Sequence, residues 1–325
     1  MEAFIGNTHI ALVVVLLAVG FAFLVKGADF FVEGSSSVAK KFKVPSIIIG
    51  LTIVAMGTSL PETAVSVTAS LAGNNELAIS NAIGSNIFNM MVVIGICALL
   101  VAVPVERETL KRDFPFSVVC AALLLVLGIL GGKKLGHLDG IILLVLFAGF
   151  ILFLIRAALK AAKEGKEVSS EADEIKTVSM PMAVIFIIGG AAAIAFGGDL
   201  TVMTASRIAK ELGMSQTLIG LTIVSIGTSL PELVTSVVAA RKKEVGLALG
   251  NAIGSNVFNI LMVLGIASAI SPISFIPNNV IDIAVLIVFS AVVWLMAFTK
   301  KEINRKEGII MLLLYVAYAV YIFIR

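Results

Sequence analysis

The chain has 325 residues, of which 59% are hydrophobic and only 14% charged, and its formal net charge is +3. This composition excludes an ordinary soluble globular domain and is typical of a helical membrane protein. The small positive charge indicates a membrane topology rather than a nucleic-acid partner. Cys97 and Cys120 lie in or beside apolar runs without metal-ligand spacing, so neither a disulfide framework nor a zinc site is expected.

Apolar runs long enough to cross a bilayer, which takes about 20 residues per helix, recur along nearly the whole chain. The first run continues to Lys26 without a cleavage site for a signal peptide and is predicted to be a retained span. The fold class expected is an all-α polytopic membrane protein in a lipid bilayer. Ten spans are predicted, at about 8–35, 45–70, 76–102, 114–131, 137–158, 180–208, 216–239, 247–270, 279–298 and 307–324.

The loops between these spans differ in charge. When they are assigned alternately to the two sides of the membrane, most Lys and Arg residues fall on one side. That side is expected to be cytoplasmic. The prediction is therefore a multi-pass protein of the cell membrane with both termini outside the cytoplasm.

The chain repeats itself at a constant offset of 170 residues. Residues 50–70, GLTIVAMGTSLPETAVSVTAS, match residues 220–240, GLTIVSIGTSLPELVTSVVAA, and residues 80–95 match 250–265. Five predicted spans separate equivalent points, so the two halves must cross the membrane in opposite directions, as in many secondary transporters. We predict a first inverted repeat of five helices in residues 1–160, a cytoplasmic linker in 161–178 and a second five-helix repeat in 179–325.

Each half carries the segment GTSLPE inside an apolar span, at 57–62 and 227–232. Pro61 and Pro231 cannot donate the helical hydrogen bond, so the helices should break there and free main-chain carbonyls. Irregular backbone at membrane depth is tolerated where it is buried or lines a hydrated cavity, and there its oxygens can hold a cation. A packing kink is the alternative for the Gly and Pro residues alone.

Glutamates at membrane depth are costly and usually belong to an ion or proton pathway. A carboxylate that merely joins helices is the alternative, but here the same Glu follows a helix breaker in both halves. Thr58 and Glu62 are four residues apart and would share a face if the helical turn persisted. The candidate residues from this motif are Thr58, Ser59, Glu62, Thr228, Ser229 and Glu232.

A second duplicated motif, NAIGSNIFN at 81–89 and NAIGSNVFN at 251–259, adds Ser85 with Asn89 and Ser255 with Asn259. Hydrogen bonding between helices is the alternative role for the Asn residues. Together the two motifs offer two carboxylates, hydroxyls, amide oxygens and carbonyls, without His or Cys. Such hard oxygen ligands suit Ca2+ and alkali cations, and two carboxylates balance the charge of one Ca2+.

Asp29 and Asp199 are also equivalent at the offset of 170 residues. Lys26 is placed to pair with Asp29, but the position equivalent to Lys26 is Phe196, so that pair is not part of the repeat. Functional and structural roles stay open for both aspartates.

The duplicated GTSLPE and GSN(I/V)FN segments resemble the two α-repeats of the Ca2+/cation antiporter superfamily, especially its prokaryotic Na+/Ca2+ exchangers, over essentially the whole chain. The resemblance implies that Glu62 and Glu232 bind Ca2+ with the main-chain oxygens of Thr58 and Thr228. It implies Na+ sites lined by Ser59, Ser85, Ser229 and Ser255 and by main-chain oxygens near Ala55 and Ser225, with Asn89 and Asn259 completing the centre. Several relatives carry Asp where this chain has Asn259, which leaves the coupling ion and the stoichiometry open.

These observations predict an antiporter that exchanges Ca2+ for Na+ by alternating access, in which both ions compete for Glu62 and Glu232. Neither a cofactor nor an obligate protein partner is expected, and no nucleotide motif is present. The nearest alternative is H+/Ca2+ exchange through the same site, because a buried glutamate could release Ca2+ on protonation. A passive cation channel and a membrane enzyme using the two glutamates as acid and base are the remaining alternatives, and no catalytic motif supports the enzyme.

Overall fold

A computed structural model describes residues 8–73, 75–164, 177–214 and 225–324, together with Ile5 and Ile223. The helices in chain order are α1 (Ile10–Phe42), α2 (Ser46–Thr58), α3 (Leu60–Leu71), α4 (Glu76–Leu100), α5 (Thr109–Leu130), α6 (His137–Glu164), α7 (Met180–Glu211), α8 (Leu230–Arg241), α9 (Val245–Ile270), α10 (Pro277–Lys300) and α11 (Arg305–Ile324). Ser225–Gly227 forms a short helical turn before α8. Four short strands are β1 (Val103–Pro104), β2 (Lys134–Leu135), β3 (Ile273–Ser274) and β4 (Glu302–Ile303).

The helices account for the apolar runs of the sequence. Within the described residues, eight helices are long and apolar enough to cross a membrane, or nine when the bent pair of α2 and α3 counts as one span. The span predicted at 216–239 lies partly outside the described residues and contains α8. The protein is therefore an all-helical, multi-pass membrane protein.

Several boundaries differ from the prediction. The first span was predicted to end near 35, but α1 continues to Phe42, where Lys43 closes it in a left-handed conformation with its N–H bonded to the carbonyls of Ala39 and Lys40. The helix can continue because the polar side chains that follow the apolar run are buried against the protein instead of meeting water. α6 likewise extends to Glu164, into the segment predicted as linker, whose residues 165–176 lie outside the description.

α4 and α9 form the centre of the protein. Of the apolar stretch of each, 78% is buried, compared with 17–39% for the other single-helix spans. The other spans therefore present most of their surface to lipid. Cys97 in α4 and Cys120 in α5 are buried free thiols.

Both central helices contain a π-helical segment at the same repeat position, Asn89–Val93 in α4 and Asn259–Val263 in α9. Further π-helical segments lie at Gly50–Val54 in α2 and Thr109–Asp113 in α5. π-Helical segments inside α-helices are rare and are frequent at functional sites. Here two of them begin at Asn89 and Asn259, the last residues of the second duplicated motif.

The strands connect the two halves. β1 pairs antiparallel with β4, with Val103 opposite Ile303, and β2 pairs antiparallel with β3, with Leu135 opposite Ile273. Each pair joins a loop of the first half to a loop of the second. The two halves are thus held together by strand pairing between loops at two places, as well as by packing between their helices.

α1 and α7 pack against each other over most of their length. Gly27 and Gly190 face each other in this contact: a Cβ added at Gly27 would lie 3.0 Å from the Gly190 carbonyl oxygen, and one added at Gly190 would lie 2.8 Å from the Gly27 carbonyl oxygen. Such close approach of two backbones is possible only between small residues. The two long helices therefore form one tightly packed pair beside the central helices.

Candidate functional site

The helix break predicted at GTSLPE is present in both halves. α2 ends at Thr58 and α3 begins at Leu60, with a bend of 48° between them. Pro61 is the second residue of α3 and Pro231 the second residue of α8, a first-turn position where the missing N–H has no helical partner to lose. The proline therefore begins a new helix at membrane depth.

Because of this break, the helical turn that would place Thr58 and Glu62 on one face is interrupted at Ser59. Each glutamate lies instead in the first turn of the following helix, Glu62 in α3 and Glu232 in α8. The positive end of the helix dipole favours a carboxylate at that position. Both glutamates are fully buried.

Each glutamate is bonded by a serine of the opposite half. The Ser59 hydroxyl donates to Oε1 of Glu232 at 3.0 Å, and the Ser229 hydroxyl donates to Oε1 of Glu62 at 3.4 Å. The Ser255 hydroxyl also donates to Oε1 of Glu232, at 3.3 Å. The two carboxylates therefore lie in one centre built from both repeats.

The second oxygen of each carboxylate has no hydrogen-bond partner in the part of the chain that the structure describes. The same holds for further buried polar atoms of the candidate residues, namely Ser85 Oγ, Asn89 Oδ1 and Nδ2, and Asn259 Oδ1. Polar oxygens buried without a partner are unfavourable, and more so at membrane depth. A hard cation with six to eight oxygen ligands, as Ca2+ takes, would satisfy several of them at once.

The charge at this centre comes from the two glutamates. Within the described residues there is no group of three or more His, Cys, Asp or Glu side chains close enough to hold a metal ion. A cation here would have to combine the glutamate pair with neutral hydroxyl, amide and carbonyl oxygens. This donor set fits Ca2+ or Na+ and does not fit Zn2+ or Cu.

Asn251 supports the site in a way that the sequence analysis missed. Its side-chain oxygen accepts a bond from the Thr58 hydroxyl at 3.0 Å, and its amide donates to the Glu232 carbonyl oxygen at 3.3 Å and to the Ser236 hydroxyl at 3.0 Å. Asn251 thus ties the break in the first half to the glutamate segment of the second.

Asn81, the equivalent residue of the first half, links the break in the second half to the glutamate segment of the first. It accepts from the Thr228 hydroxyl at 3.2 Å and donates to the Glu62 carbonyl oxygen at 3.5 Å and to the Ser66 hydroxyl at 3.1 Å. Asn81 and Asn251 open the duplicated NAIGSN segments, so their equal offset was the signal that could have identified them.

The centre departs from symmetry at the last Asn of this motif. The Asn259 amide donates to Oδ1 of Asn86 at 3.0 Å, whereas neither side-chain atom of the equivalent Asn89 has a hydrogen-bond partner among the described residues. Asn259 therefore joins α9 to α4, which was the alternative role for the Asn residues. Both side chains are fully buried.

The main-chain positions near Ala55 and Ser225 are only partly described. The Ala55 carbonyl oxygen accepts from the Ser59 N–H at 3.0 Å and from the Thr58 hydroxyl at 3.4 Å. Ser225 begins the short turn Ser225–Gly227, and its side chain lies outside the description.

Two neighbouring cavities lead from one side of the protein towards the breaks. The larger, of about 660 Å³, lies between α3 and α7, and the smaller, of about 270 Å³, reaches Thr228 and Pro231. Pro61, Val65 and Asp199 line both. The cavities therefore reach the first turns of α3 and α8, the helices that carry the two glutamates.

Comparison with known proteins gives one consistent result. The family model described as sodium/calcium exchanger protein matches residues 12–156 and 182–324. The putative antiporter CaxA of Alkalimonas amylolytica is 39% identical over 95% of this chain and 98% of its own length. The sodium/calcium exchanger MaX1 of Methanosarcina acetivorans is 32% identical over 95% of this chain and 97% of its own length.

Solved structures agree with the sequence relatives. The sodium-calcium exchanger NCX_Mj, soaked with zero Na+ and Ca2+, superposes with a TM-score of 0.82 at 32% identity and covers 95% of this chain and 98% of its own. The same exchanger soaked with 2.5 mM Na+ and 10 mM Sr2+ gives a TM-score of 0.81. The likeness thus extends over the whole fold.

Proposed function

Since this chain belongs to the sodium/calcium exchanger protein family, whose members are transporters and not enzymes, we propose that it exchanges Ca2+ for Na+ across the cell membrane. The transport site is the centre formed by Glu62 and Glu232. Ca2+ and Na+ are substrates in this reaction, and no cofactor takes part.

The observation that carries this proposal is the crossed arrangement of the two glutamates. Each receives a hydroxyl from the opposite half on Oε1 and keeps Oε2 without a protein partner within the described residues. Two buried negative charges attract one divalent cation or more than one monovalent cation. Because both kinds of ion need the same carboxylates, they exclude each other, and this competition couples their movements.

The residues around the carboxylates have separate tasks in this proposal. Ca2+ is held by Glu62 and Glu232 with the main-chain oxygens of Thr58 and Thr228. Na+ sites are lined by Ser59, Ser85, Ser229 and Ser255 and by carbonyls near Ala55 and Ser225, while Asn89 and Asn259 complete the centre. Asn81 and Asn251 position the breaks.

Alternating access requires that the centre open to one side at a time. The packed pair of α1 and α7 lies beside the central helices, and α7 lines the cavities that lead to the breaks. We infer that this pair moves across the central helices and exposes the site to each side in turn. The central helices α4 and α9 stay fixed because they are the most buried part of the protein.

The proposed topology assigns the loops and the termini to the two sides of the membrane. Ten spans in two inverted repeats, 1–160 and 179–325, put the basic loops and the linker 161–178 in the cytoplasm and both termini outside. A cysteine placed at Ser169 in the linker should react only with reagents that reach the cytoplasm. Labelling from outside intact cells would overturn this orientation.

Na+ coupling is tested by uptake of radioactive Ca2+ into vesicles that contain the purified protein. Uptake driven by an outward Na+ gradient supports Na+/Ca2+ exchange. Uptake driven only by a proton gradient would replace Na+ by H+ at the same site. Uptake that persists without any counter-ion would indicate a channel instead of an exchanger.

A further inference from the structure

Asp29 in α1 and Asp199 in α7 occupy equivalent positions of the two repeats, yet their surroundings differ. In an inverted repeat the junction of α1 with α8 corresponds to the junction of α7 with α3. The first junction is packed, whereas the second holds the cavities that reach the helix breaks. The two aspartates stand at these two junctions.

At the packed junction Asp29 is bridged to the opposite half. The Lys242 ammonium lies 3.3 Å from Oδ1 of Asp29 and donates to the Asp29 carbonyl oxygen at 3.0 Å. Lys242 directly follows α8, so this contact fastens α1 to the end of α8. Lys26 also lies near Asp29, at 3.8 Å, but it belongs to α1 itself and its side chain is 74% exposed.

At the open junction the same bridge cannot form. The residue equivalent to Lys242 is Ala72, and both Ala72 and Asp199 line the cavity of about 660 Å³ between α3 and α7. An alanine has neither the charge nor the length to cross this space. The sequence difference between the equivalent positions 72 and 242 therefore accounts for the presence of the bridge at one junction and its absence at the other.

We propose that the ion pair of Asp29 with Lys242 is a one-sided latch, which holds α1 against α8 and keeps the transport site closed on that side. This inference rests on the alternating access proposed above. To expose the site on the Lys242 side, the α1 and α7 pair must break the contact, and on the Ala72 side the described residues offer no matching contact to break. The resting protein is accordingly biased towards opening beside Asp199.

The latch is tested by the accessibility of two reporter cysteines in a protein without Cys97 and Cys120. Val65→Cys lies in the cavities beside Asp199, and Thr235→Cys is its equivalent beside α1, where Thr235 is fully buried. Each is labelled in liposomes with a membrane-impermeant maleimide applied from the matching side. With the latch intact, the cysteine at 65 should react faster than the one at 235.

Lys242→Ala and Asp29→Asn should each slow labelling at 65 and speed labelling at 235. The ratio of the labelling rate at 65 to that at 235 should change about two- to fivefold, which corresponds to the stabilisation that a partly exposed ion pair provides. The double variant should show no further change relative to Lys242→Ala alone, because that substitution already removes both the ion pair and the hydrogen bond to the Asp29 carbonyl. Exchanging the two residues, Asp29→Lys with Lys242→Asp, should restore part of the original ratio, because it rebuilds the ion pair but not the hydrogen bond to the main-chain carbonyl of residue 29.

Two variants separate the latch from a general effect of charge. Lys26→Ala removes a positive charge near Asp29 without cutting a bridge between helices, and it should leave the ratio unchanged. Ala72→Lys places a cation opposite Asp199 and should slow labelling at 65. An unchanged ratio in Lys242→Ala, or an equal change in Lys26→Ala, would overturn the latch.

Failure of the latch is distinguishable from failure of the proposed function. Na+-driven Ca2+ flux is measured on the same liposomes before labelling. Absence of flux in the unmodified protein would overturn the exchange function, whereas normal flux with a labelling ratio that does not respond to Lys242 would overturn only the latch.

Discussion

Asn86 and Asn256 each donate their side-chain amide to the other's main-chain carbonyl oxygen, at 3.1 Å in both directions. The two residues are 170 positions apart and fully or almost fully buried, so they join α4 to α9 at the pseudosymmetry axis of the repeats.

Replacing either Asn86 or Asn256 by Ala leaves a buried carbonyl without its donor, at a cost of about 1–3 kcal/mol. We expect Asn86→Ala and Asn256→Ala each to lower the thermal unfolding temperature in detergent, with a double variant less harmful than the two effects added. Asn278→Ala, at an exposed position, should be neutral, and equal stability of all three would contradict this role.

Replacing either glutamate by glutamine removes a negative charge from the proposed site and preserves the volume of the side chain. Glu62→Gln and Glu232→Gln should each reduce Ca2+ flux about a hundredfold or more, because an unbalanced divalent charge at a buried site costs several kcal/mol and 1.4 kcal/mol is a factor of ten. Flux in vesicles and elution on a sizing column are measured together, so that loss of transport is separated from misfolding. Glu76→Gln, at the exposed start of α4, is the matched control. Normal flux in either variant would remove that residue from the site.

The serine hydroxyls should matter more for Na+ than for Ca2+. A monovalent ion gains less from the carboxylates, so neutral ligands contribute a larger share of its binding. Ser85→Ala and Ser229→Ala are expected to raise the Na+ concentration for half-maximal exchange more than the Ca2+ concentration. Ser268→Ala is the control, since its hydroxyl donates to the Leu264 carbonyl oxygen in the same helix. An equal loss of affinity for both ions would exclude specific Na+ ligation by these hydroxyls.

Gly57 borders the break and faces α1. A Cβ added there would meet the Phe31 ring 2.5 Å away, so Gly57→Ala must displace the ring or the helix at a cost of about 1–3 kcal/mol. Because the contact joins α1 to α2, we expect exchange to slow about tenfold, and Phe31→Ala to restore part of the rate. Gly189→Ala in α7, with no atom within 4 Å of the added Cβ, should exchange normally. Absence of rescue by Phe31→Ala would show that the ring is not the obstacle.

Asn259→Asp adds a carboxyl group beside the Asn86 oxygen that now accepts the Asn259 amide. A protonated Asp can still donate this bond and mimic Asn, whereas an ionised Asp adds a third negative charge near the two glutamates. Ca2+ exchange should therefore persist, with apparent Ca2+ affinity rising as the pH is increased. Flux is compared with the unmodified protein at several pH values on both sides of neutrality. A pH profile that overlays that of the unmodified protein would place residue 259 outside the charge field of the site.

The helix breaks could be predicted from the sequence because Pro61 and Pro231 act locally on the backbone. The ten candidate ligands could be chosen because their motifs recur at an offset of 170 residues. The crossing of Ser59 to Glu232 was not predictable in this way. It depends on how α3 and α8 meet, which no spacing within either motif determines. The end of α1 was misjudged for a related reason: the serines before Phe42 are polar in the sequence and buried only by tertiary packing.

The role of Asn259 illustrates the same limit. Asn89 and Asn259 are identical in residue type and in motif, and the sequence treats them alike. In the fold only Asn259 reaches Asn86, while Asn89 keeps a side chain without a hydrogen-bond partner in the described part of the chain. The two residues thus differ in the partner of the amide nitrogen, while the side-chain oxygen of each is buried without a partner among the described residues. Such departures from symmetry arise from the packing of the whole fold.

The pairing of β1 with β4 constrains how the protein can be made. β4 consists of Glu302 and Ile303, so β1 can pair only after almost the entire chain has been synthesised. Both strand-bearing loops of the first half consequently lack their partners until the second half is made, and β1 is the last to be paired. Truncation shortly before Glu302 should leave all candidate ion ligands in the chain and yet expose the β1 loop to quality-control proteolysis in the cell.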